Sequence, residues 1–301
     1  MFGDSLIDVG NNNYFATIIK ANFPYNGHDY PGGKPTGRFC NGKNTADFLG
    51  KRALARSICL NFNSKALDLS QQVQFFSIVQ QNLVKQLGGI DGAMKQLSKS
   101  LFVVVIGSND IINYFKSDSK LPKNTAPQLY VDQMVSTLQG QLKQLHGLGG
   151  RKFVITAVGS VGCIPLLRYQ SPNNSNECSQ QANFWANKYN QQLQSMLQGL
   201  KAELNDINYS FIDTYSLLLD VIQNPATYGF SEVKAACCGF GRLRAKVPCT
   251  PVAIFCTNRS SHVFWDRYHP TEAADSLIIN TTFDGTNKYV FPLNVKQLIA
   301  L

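Results

Sequence analysis

Three short apolar runs constrain the fold of this chain more than any other feature of its sequence. Residues 101–106 form an unbroken apolar run rich in β-branched side chains, and residues 153–158 form a second run that only Thr156 interrupts. A third, shorter run occupies residues 209–212. Apolar character without polar alternation is typical of strands buried on both faces of a parallel sheet. We therefore expect these runs to be strands of a buried, largely parallel sheet.

Amphipathic segments separate the three runs. Apolar side chains recur at steps of three and four in residues 69–87, 130–145 and 183–204, which is the period of a helix. Alternation of strand and helix predicts an α/β fold with a doubly wound sheet. No internal repeat, low-complexity tract or long linker divides the sequence, so we expect one domain over residues 1–301.

Local signals are weaker in the first seventy residues. We expect a short helix over residues 13–20, followed by a long loop rich in turn residues. A second helix is predicted to begin at Asn44 or Thr45, both of which are good N-caps. Residues 50–65 are ambiguous, because 51–56 fit a continued helix and 57–62 fit a short strand.

Composition and charge exclude several classes of partner. The 301 residues carry a net charge of +9. Their basic residues are scattered, whereas nucleic-acid binding needs a basic stripe, so we expect no nucleic-acid partner. Weak association with acidic cell-wall polysaccharide or membrane surfaces is compatible with this charge. No apolar run approaches about 20 residues, so we expect no transmembrane segment. Because Met1 directly precedes the Ser5 turn, we expect no signal peptide in this chain.

The cysteines favour disulfide bonds over a metal site. None of the eight forms a C-x-x-C pair, which argues against zinc. Cys163 and Cys178 bracket a polar stretch, and four more cysteines lie within residues 237–256. Disulfides in an oxidising compartment are the better interpretation, with the pairing left open. Four N-x-S/T sequons point the same way; they begin at Asn173, Asn208, Asn258 and Asn280.

The two ends of the chain contain the parts of a serine nucleophile system. Ser5 follows Gly3 and Asp4 in what the sequence indicates is a tight turn, and Asp266 lies three residues before His269. Residues three apart in one turn share a face, so Asp266 can reach the near ring nitrogen of His269. The imidazole would then remove the Ser5 proton, with the carboxylate stabilising the resulting charge. Taken singly, each part has a structural alternative, since turn serines and D-x-x-H spacings are common.

Asn109 is the candidate oxyanion donor, together with the Ser5 backbone N–H. It follows the 101–106 strand, where α/β proteins place their sites, although a helix cap is the structural alternative. We give Asp4 no chemical role and interpret it as a cap or a solvated turn residue. Asp8 with Asn11 to Asn13 is interpreted as turn hydrogen bonding. The remaining histidines lack acidic neighbours at useful spacing and are interpreted as surface or packing residues: His28, His146 and His262.

Taken together, these motifs resemble the GDSL esterase/lipase family of the SGNH hydrolase superfamily, and its plant branch most closely. The family motifs lie at residues 2–6, 107–110 and 266–270, and the plant-type ones at residues 10–13, 31–39, 237–239, 249–256 and 258–266. The resemblance covers residues 1–49 and about 69–301. It implies a secreted, flavodoxin-like three-layer α/β/α sandwich with a central parallel sheet and no metal or organic cofactor.

The resemblance also implies a function and the roles of single residues. Ser5 would be the nucleophile, Asp266 the orienting acid and His269 the base, with Asn109 and Ser5 donating to the oxyanion. The expected activity is hydrolysis of carboxylic esters, of lipids or of small acyl compounds, through an acyl-enzyme.

The chain departs from the family in two places. Only Met1 remains of the apolar strand that leads into Phe2, so we expect a truncated first strand in the middle of the sheet. Near residues 50–68 the family has a longer segment whose glycine N–H lines the oxyanion hole, and no residue here matches that glycine. Two alternatives therefore stay open: a catalytically impaired or inactive member that acts as a binding protein, and a carbohydrate acetylesterase.

Overall fold

The computed structural model describes residues 1–14, 20–52, 67–119 and 125–301. The strands are β1 (Phe2–Gly3), β2 (Leu101–Val105), β3 (Lys152–Thr156), β4 (Asn208–Ile212), β5 (Glu232–Ala236), β6 (Cys238–Gly239), β7 (Ile254–Phe255), β8 (His262–Phe264) and β9 (Val290–Pro292). The α-helices are α1 (Thr45–Arg52), α2 (Leu69–Gln86), α3 (Ile90–Ser98), α4 (Ser108–Phe115), α5 (Pro127–Gly147), α6 (Pro165–Tyr169), α7 (Gln180–Glu203), α8 (Thr214–Gln223), α9 (Glu272–Thr282) and α10 (Val295–Ala300).

Five strands form the central sheet, in the order β1-β2-β3-β4-β9. The first four are parallel, and β9 runs antiparallel to β4. The three apolar runs are thus confirmed as β2, β3 and β4. β1 is only two residues long, as the resemblance implied, but it lies at an edge of the described sheet rather than in the middle. The short strand that residues 57–62 fit in the sequence lies outside the described residues.

Helices cover both faces of this sheet, because alternate side chains of its strands point in opposite directions. Phe102 and Val104 of β2 pack in a cluster that takes in side chains of α2, α5 and α7. Val103 and Val105 pack on the other face, with side chains of α1, α9 and α10. The arrangement is the three-layer α/β/α sandwich that the resemblance implied.

The predicted helices are confirmed as α2, α5 and α7, and α1 begins where expected. The Asn44 side chain caps α1 by accepting a hydrogen bond from the Asp47 N–H at 3.3 Å. The helices α3 and α8 are only 9 and 10 residues long, and they were not predicted. Of the helix expected over residues 13–20, the structure has a 3₁₀ turn at Asn11–Tyr14, and residues 15–19 lie outside the described part.

The prediction of disulfides is confirmed, and the pairs are Cys163–Cys178, Cys237–Cys256 and Cys238–Cys249. The last two anchor small sheets, β5 with β8 and β6 with β7, beside the segment that leads to His269. The N–H of Cys238 donates to the Trp265 carbonyl at 2.7 Å. Cys40 is a buried free thiol, and Cys59 lies outside the described residues. In the described part of the chain, no helix is long and apolar enough to cross a membrane.

Candidate active site

Ser5 stands on a tight turn that directly follows β1. Glycine is required at position 3, because a Cβ there would lie 2.2 Å from the carbonyl oxygen of Val105 in the neighbouring strand. The backbone N–H of Asp4 donates to that same carbonyl at 3.3 Å, and the Asp4 carbonyl accepts from the Ile7 N–H at 3.3 Å. The chain thus turns sharply at the carboxyl end of the parallel strands, and Ser5 lies at that edge.

Asp266 and His269 share a loop between β8 and α9. Asp266 Oδ1 accepts hydrogen bonds from the backbone N–H of Tyr268 at 2.7 Å and of His269 at 2.9 Å. The Trp265 N–H closes the loop on the His269 carbonyl at 2.8 Å. Thr271 then caps α9 by accepting from the Ala274 N–H. These bonds explain the three-residue spacing, since they fold the aspartate back onto the ring of the histidine.

The structure brings these two ends of the chain into contact, as the sequence predicted. Ser5 Oγ lies 2.8 Å from His269 Nε2. On the other side of the ring, His269 Nδ1 lies 2.9 and 2.8 Å from the two carboxylate oxygens of Asp266. The hydroxyl, imidazole and carboxylate therefore form one hydrogen-bonded chain, the arrangement in which a hydroxyl can pass its proton to the ring.

Burial and charge act in opposite directions on His269. Burial disfavours the imidazolium and lowers the pKa of His269, but the charge and hydrogen bond of Asp266 outweigh it, so the pKa is raised above its ordinary value. Burial likewise raises the pKa of Asp266, yet the His269 contact and the two backbone N–H donors hold the pKa below its usual range. Asp266 is therefore an ionised partner for a histidine that gains a proton.

Asn109 lies close to the Ser5 turn, at the second position of α4. Its side chain is exposed, and its Nδ2 donates to Asp4 Oδ2 at 3.2 Å. Gly107, with a φ of +107°, occupies the N-cap, so the helix-cap interpretation of Asn109 is wrong. Because Asp4 accepts only one N–H of this exposed amide, the second N–H remains to donate to another acceptor, as an oxyanion donor requires.

Asp4 has more contacts than the sequence interpretation allowed. It does serve the turn, accepting from the Leu6 N–H at 3.0 Å, but it also holds the Asn109 amide and is only partly exposed. Burial is the main cause that raises the pKa of Asp4 to about 6. It is therefore not a solvated turn residue. Its place between Gly3 and Ser5 was the one signal that could have marked it.

The sequence matches the family model of the GDSL-like lipases/acylhydrolases over residues 1–281. The chain is a member of that family. Three GDSL esterase/lipases of Arabidopsis thaliana are 42%, 38% and 36% identical to it. The alignments cover 100%, 99% and 100% of this chain and 89%, 90% and 90% of those relatives. Membership in this family supports ester hydrolysis as the activity class.

This GDSL family member also lacks residues that a relative has. The alignment with the 42% identical relative spans 338 positions, whereas the chain has 301 residues. That difference agrees with the expected internal gap. The position of the unmatched oxyanion glycine, near Lys65 and Ala66, lies outside the described residues. Asn109 and the Ser5 backbone are therefore the candidate oxyanion donors of the described part.

A second loop of this GDSL protein reaches the site, and the sequence interpretation missed it. The Phe39 ring stacks on the His269 ring, with 5.0 Å between centroids. Arg38 next to it forms two hydrogen bonds of 2.7 Å to the Asp47 carboxylate in α1. Asn13 Nδ2 donates to the Thr36 carbonyl at 3.1 Å, so the 10–13 motif holds the 31–39 loop in place.

Asp275 of α9 is a further buried acid that the sequence interpretation did not single out. It is 3% exposed and accepts a hydrogen bond from the Thr45 hydroxyl at 2.7 Å. Burial is the main cause that raises the pKa of Asp275 to about 7. Its charge in turn helps to raise the pKa of His269, so the two groups belong to one electrostatic unit.

The remaining polar residues behave largely as predicted. Asp8 accepts from the backbone N–H groups of Gly10 and Asn11 at 2.8 and 2.7 Å, which confirms its turn role. His28 packs on the Phe255 ring, and His262 bonds the Asn258 carbonyl. His146 differs in having an acidic partner, Asp206, at 2.7 Å and far away in sequence. Among the described residues no cluster of His, Cys, Asp or Glu suits a metal ion.

Proposed function

We propose that this protein is a serine esterase that hydrolyses carboxylic esters through an acyl-enzyme, with Ser5 as nucleophile, His269 as base and Asp266 as orienting acid. The observation that carries the proposal is the hydrogen-bonded chain from Ser5 Oγ through the His269 ring to Asp266. Family membership supports the reaction class, and the relatives' names as esterase/lipases agree with it.

The proposed reaction has two halves. Ser5 Oγ attacks the acyl carbon while its proton passes to His269 Nε2, and the imidazolium then returns that proton to the departing alkoxide. In the second half, water attacks the acyl-enzyme, gives a proton to His269 and releases the acid, and Ser5 regains its proton. Asp266 stays ionised throughout and stabilises the charged ring.

In each half of the reaction, hydrogen-bond donors must stabilise the negative charge on the oxygen of the tetrahedral intermediate. We assign them to the Asn109 side-chain amide and the Ser5 backbone N–H. The contact with Asp4 supports the role of Asn109, because a carboxylate that holds one N–H orients the other. Removal of one such donor lowers kcat by about 10²–10³.

Lipid esters and small acyl esters are the proposed substrates, and an extracellular location is the proposed setting. Three disulfides support an oxidising compartment. The net charge of +9 is compatible with weak association with acidic cell-wall or membrane surfaces.

Hydrolysis of short- and long-chain nitrophenyl esters by oxidatively refolded protein tests the proposal. Ser5→Ala is the decisive control, and loss of the nucleophile is expected to lower kcat by on the order of 10⁶. Equal rates for the two proteins contradict the proposal. A folded wild type without turnover on either ester favours the inactive, binding member of the family.

A further inference from the structure

The side-chain amide of Gln72 satisfies both polar backbone groups of Gly3, two residues before Ser5. The Gly3 N–H donates to Gln72 Oε1 at 2.8 Å, and Gln72 Nε2 donates to the Gly3 carbonyl at 2.9 Å. One planar side-chain amide therefore makes the pair of hydrogen bonds that the N–H and C=O of one residue in an adjoining antiparallel strand would make.

These bonds lie on the side of β1 that faces away from β2. The Asp4 N–H bonds the Val105 carbonyl of β2. Because successive residues of a strand direct their polar groups to opposite sides, the Gly3 groups point the other way. Among the described strands, none pairs with that edge of β1. Without a partner, these two groups would form an unsatisfied edge directly before the nucleophile.

Gln72 is itself held firmly. It lies in the first turn of α2, whose start is fixed by a reciprocal capping box between Asp68 and Gln71. Its Nε2 also donates to the Leu67 carbonyl at 3.1 Å. The helix packs on β1 through Phe76, whose ring lies 5.5 Å from that of Phe2. A rigid helix end thus presents the amide to the strand.

We infer that Gln72 is a positioning residue for Ser5: its amide takes the place of a neighbouring strand and fixes the Gly3 peptide from which the nucleophile turn departs. The inference rests on the proposed esterase function. Fixing Gly3 from both sides, by Gln72 and by β2, sets where Ser5 Oγ stands relative to His269 Nε2. Such placement acts on the chemical step rather than on substrate affinity.

Gln72→Met is the test, because methionine keeps the length of the side chain and removes both hydrogen bonds to Gly3, together with the one to Leu67. We expect kcat for a nitrophenyl ester to fall by up to about a hundredfold, the effect of a loosened catalytic geometry, with KM unchanged. Gln74→Met, on an exposed position of the same helix, is the matched control and should keep wild-type kcat. Amide hydrogen exchange should show loss of protection at Gly3 in Gln72→Met and not in Gln74→Met.

Gln72→Glu separates hydrogen bonding from shape. A protonated carboxyl both donates and accepts, as the amide does, whereas an ionised carboxylate only accepts. Asp68, four residues earlier in the chain, and Asp4, which follows Gly3, are acidic groups that should raise the pKa of the introduced carboxyl and so favour its protonated form. The ratio of the Gln72→Glu kcat to the wild-type kcat should therefore rise as the pH falls, while the ratio for Gln72→Met stays flat.

Three outcomes overturn the inference. They are wild-type kcat in Gln72→Met, a rise in KM alone, and a pH-independent ratio for Gln72→Glu. If Gln72→Met does not fold, the Gln72→Glu ratio decides. A wild type that shows no Ser5-dependent turnover contradicts the proposed function and with it the catalytic role, whereas the Gly3 exchange data still decide whether the amide replaces a strand.

Discussion

Two opposing effects set the pKa of His269: burial lowers it, and the charge and hydrogen bond of Asp266 raise it. Only the neutral ring can accept the Ser5 proton, so kcat/KM should rise with pH, with an apparent pKa above the ordinary 6.5 of histidine. Asp266→Asn removes the charge that raises this pKa. We expect the rising limb to move to lower pH and kcat to fall by about 10⁴. Profiles of kcat/KM against pH for the wild type and Asp266→Asn measure both changes. A rising limb at the same pH in the two proteins would contradict the prediction.

Asp4 and Asn109 give a second prediction at the level of single residues. If Asp4 acts by holding the Asn109 amide, Asp4→Asn lowers kcat, by about tenfold for a weakened hydrogen bond. Asn109→Ala lowers it further, by about 10²–10³. The double variant should then be no worse than Asn109→Ala alone, because the second change removes nothing more. Additive losses in this kinetic cycle would show that the two side chains act separately.

Residue types and their order along the chain were enough to predict that Ser5, Asp266 and His269 meet. They were not enough for Asp4, Phe39 and Asp275. The pKa of Asp275 follows from the burial of its side chain beside Thr45 of α1, and the Phe39 contact follows from where the 31–39 loop lies against the His269 ring. Both depend on tertiary packing, which no local spacing records.

The loop that carries Phe39 is anchored on α1 by a bidentate ion pair. Arg38 and Asp47 have side-chain exposures of only 9% and 16%. Breaking a buried pair leaves an uncompensated charge, so Arg38→Met should lower the free energy of unfolding by about 3 kcal/mol. Denaturant unfolding followed by circular dichroism measures the change.

Lys143→Met is the matched control for that prediction. Lys143 pairs with Glu203 at 2.7 Å, but the two side chains are 42% and 52% exposed. An exposed pair contributes about 0–1 kcal/mol. Equal losses in the two variants would mean that the Arg38 pair does not anchor the loop.

Among the elements, those with a long regular pattern were predicted and those defined by distant partners were not. Apolar runs predict β2, β3 and β4, and the helical spacing of apolar side chains predicts α2, α5 and α7. β6 and β7 are two residues each, and they pair where two disulfides join distant parts of the chain. The edge position of β1 depends in the same way on pairing, which its own two residues cannot encode. The single-domain organisation stays a prediction.

Buried carboxyl groups make the stability of the whole molecule depend on pH. Folding raises the pKa of Asp275 from 3.8 to about 7, so the folded state holds its proton where the unfolded chain releases it. Stability should fall as the pH rises through this window. Asp275→Asn keeps an acceptor for Thr45 and removes the titration. Its free energy of unfolding relative to wild type should therefore increase from pH 4 to pH 8, by up to about 4 kcal/mol. Melting temperatures of the two proteins at each pH follow this change.

Asp91→Asn controls for the general effect of removing one negative charge, since Asp91 is exposed on α3. Its melting temperature relative to wild type should show no comparable trend over the same window. A constant difference between Asp275→Asn and wild type at every pH would contradict the titration of Asp275.

The contact between Ser5 and His269 joins positions 264 residues apart. During synthesis the nucleophile precedes the base by this whole stretch, so a nascent chain has no complete catalytic unit until His269 has been made. The same separation makes this contact one of the most non-local in the molecule, and such contacts form late because long loops must close first. During refolding, recovery of ester turnover should accordingly lag behind recovery of helical circular dichroism. Ester turnover therefore reports the last stage of folding in this protein.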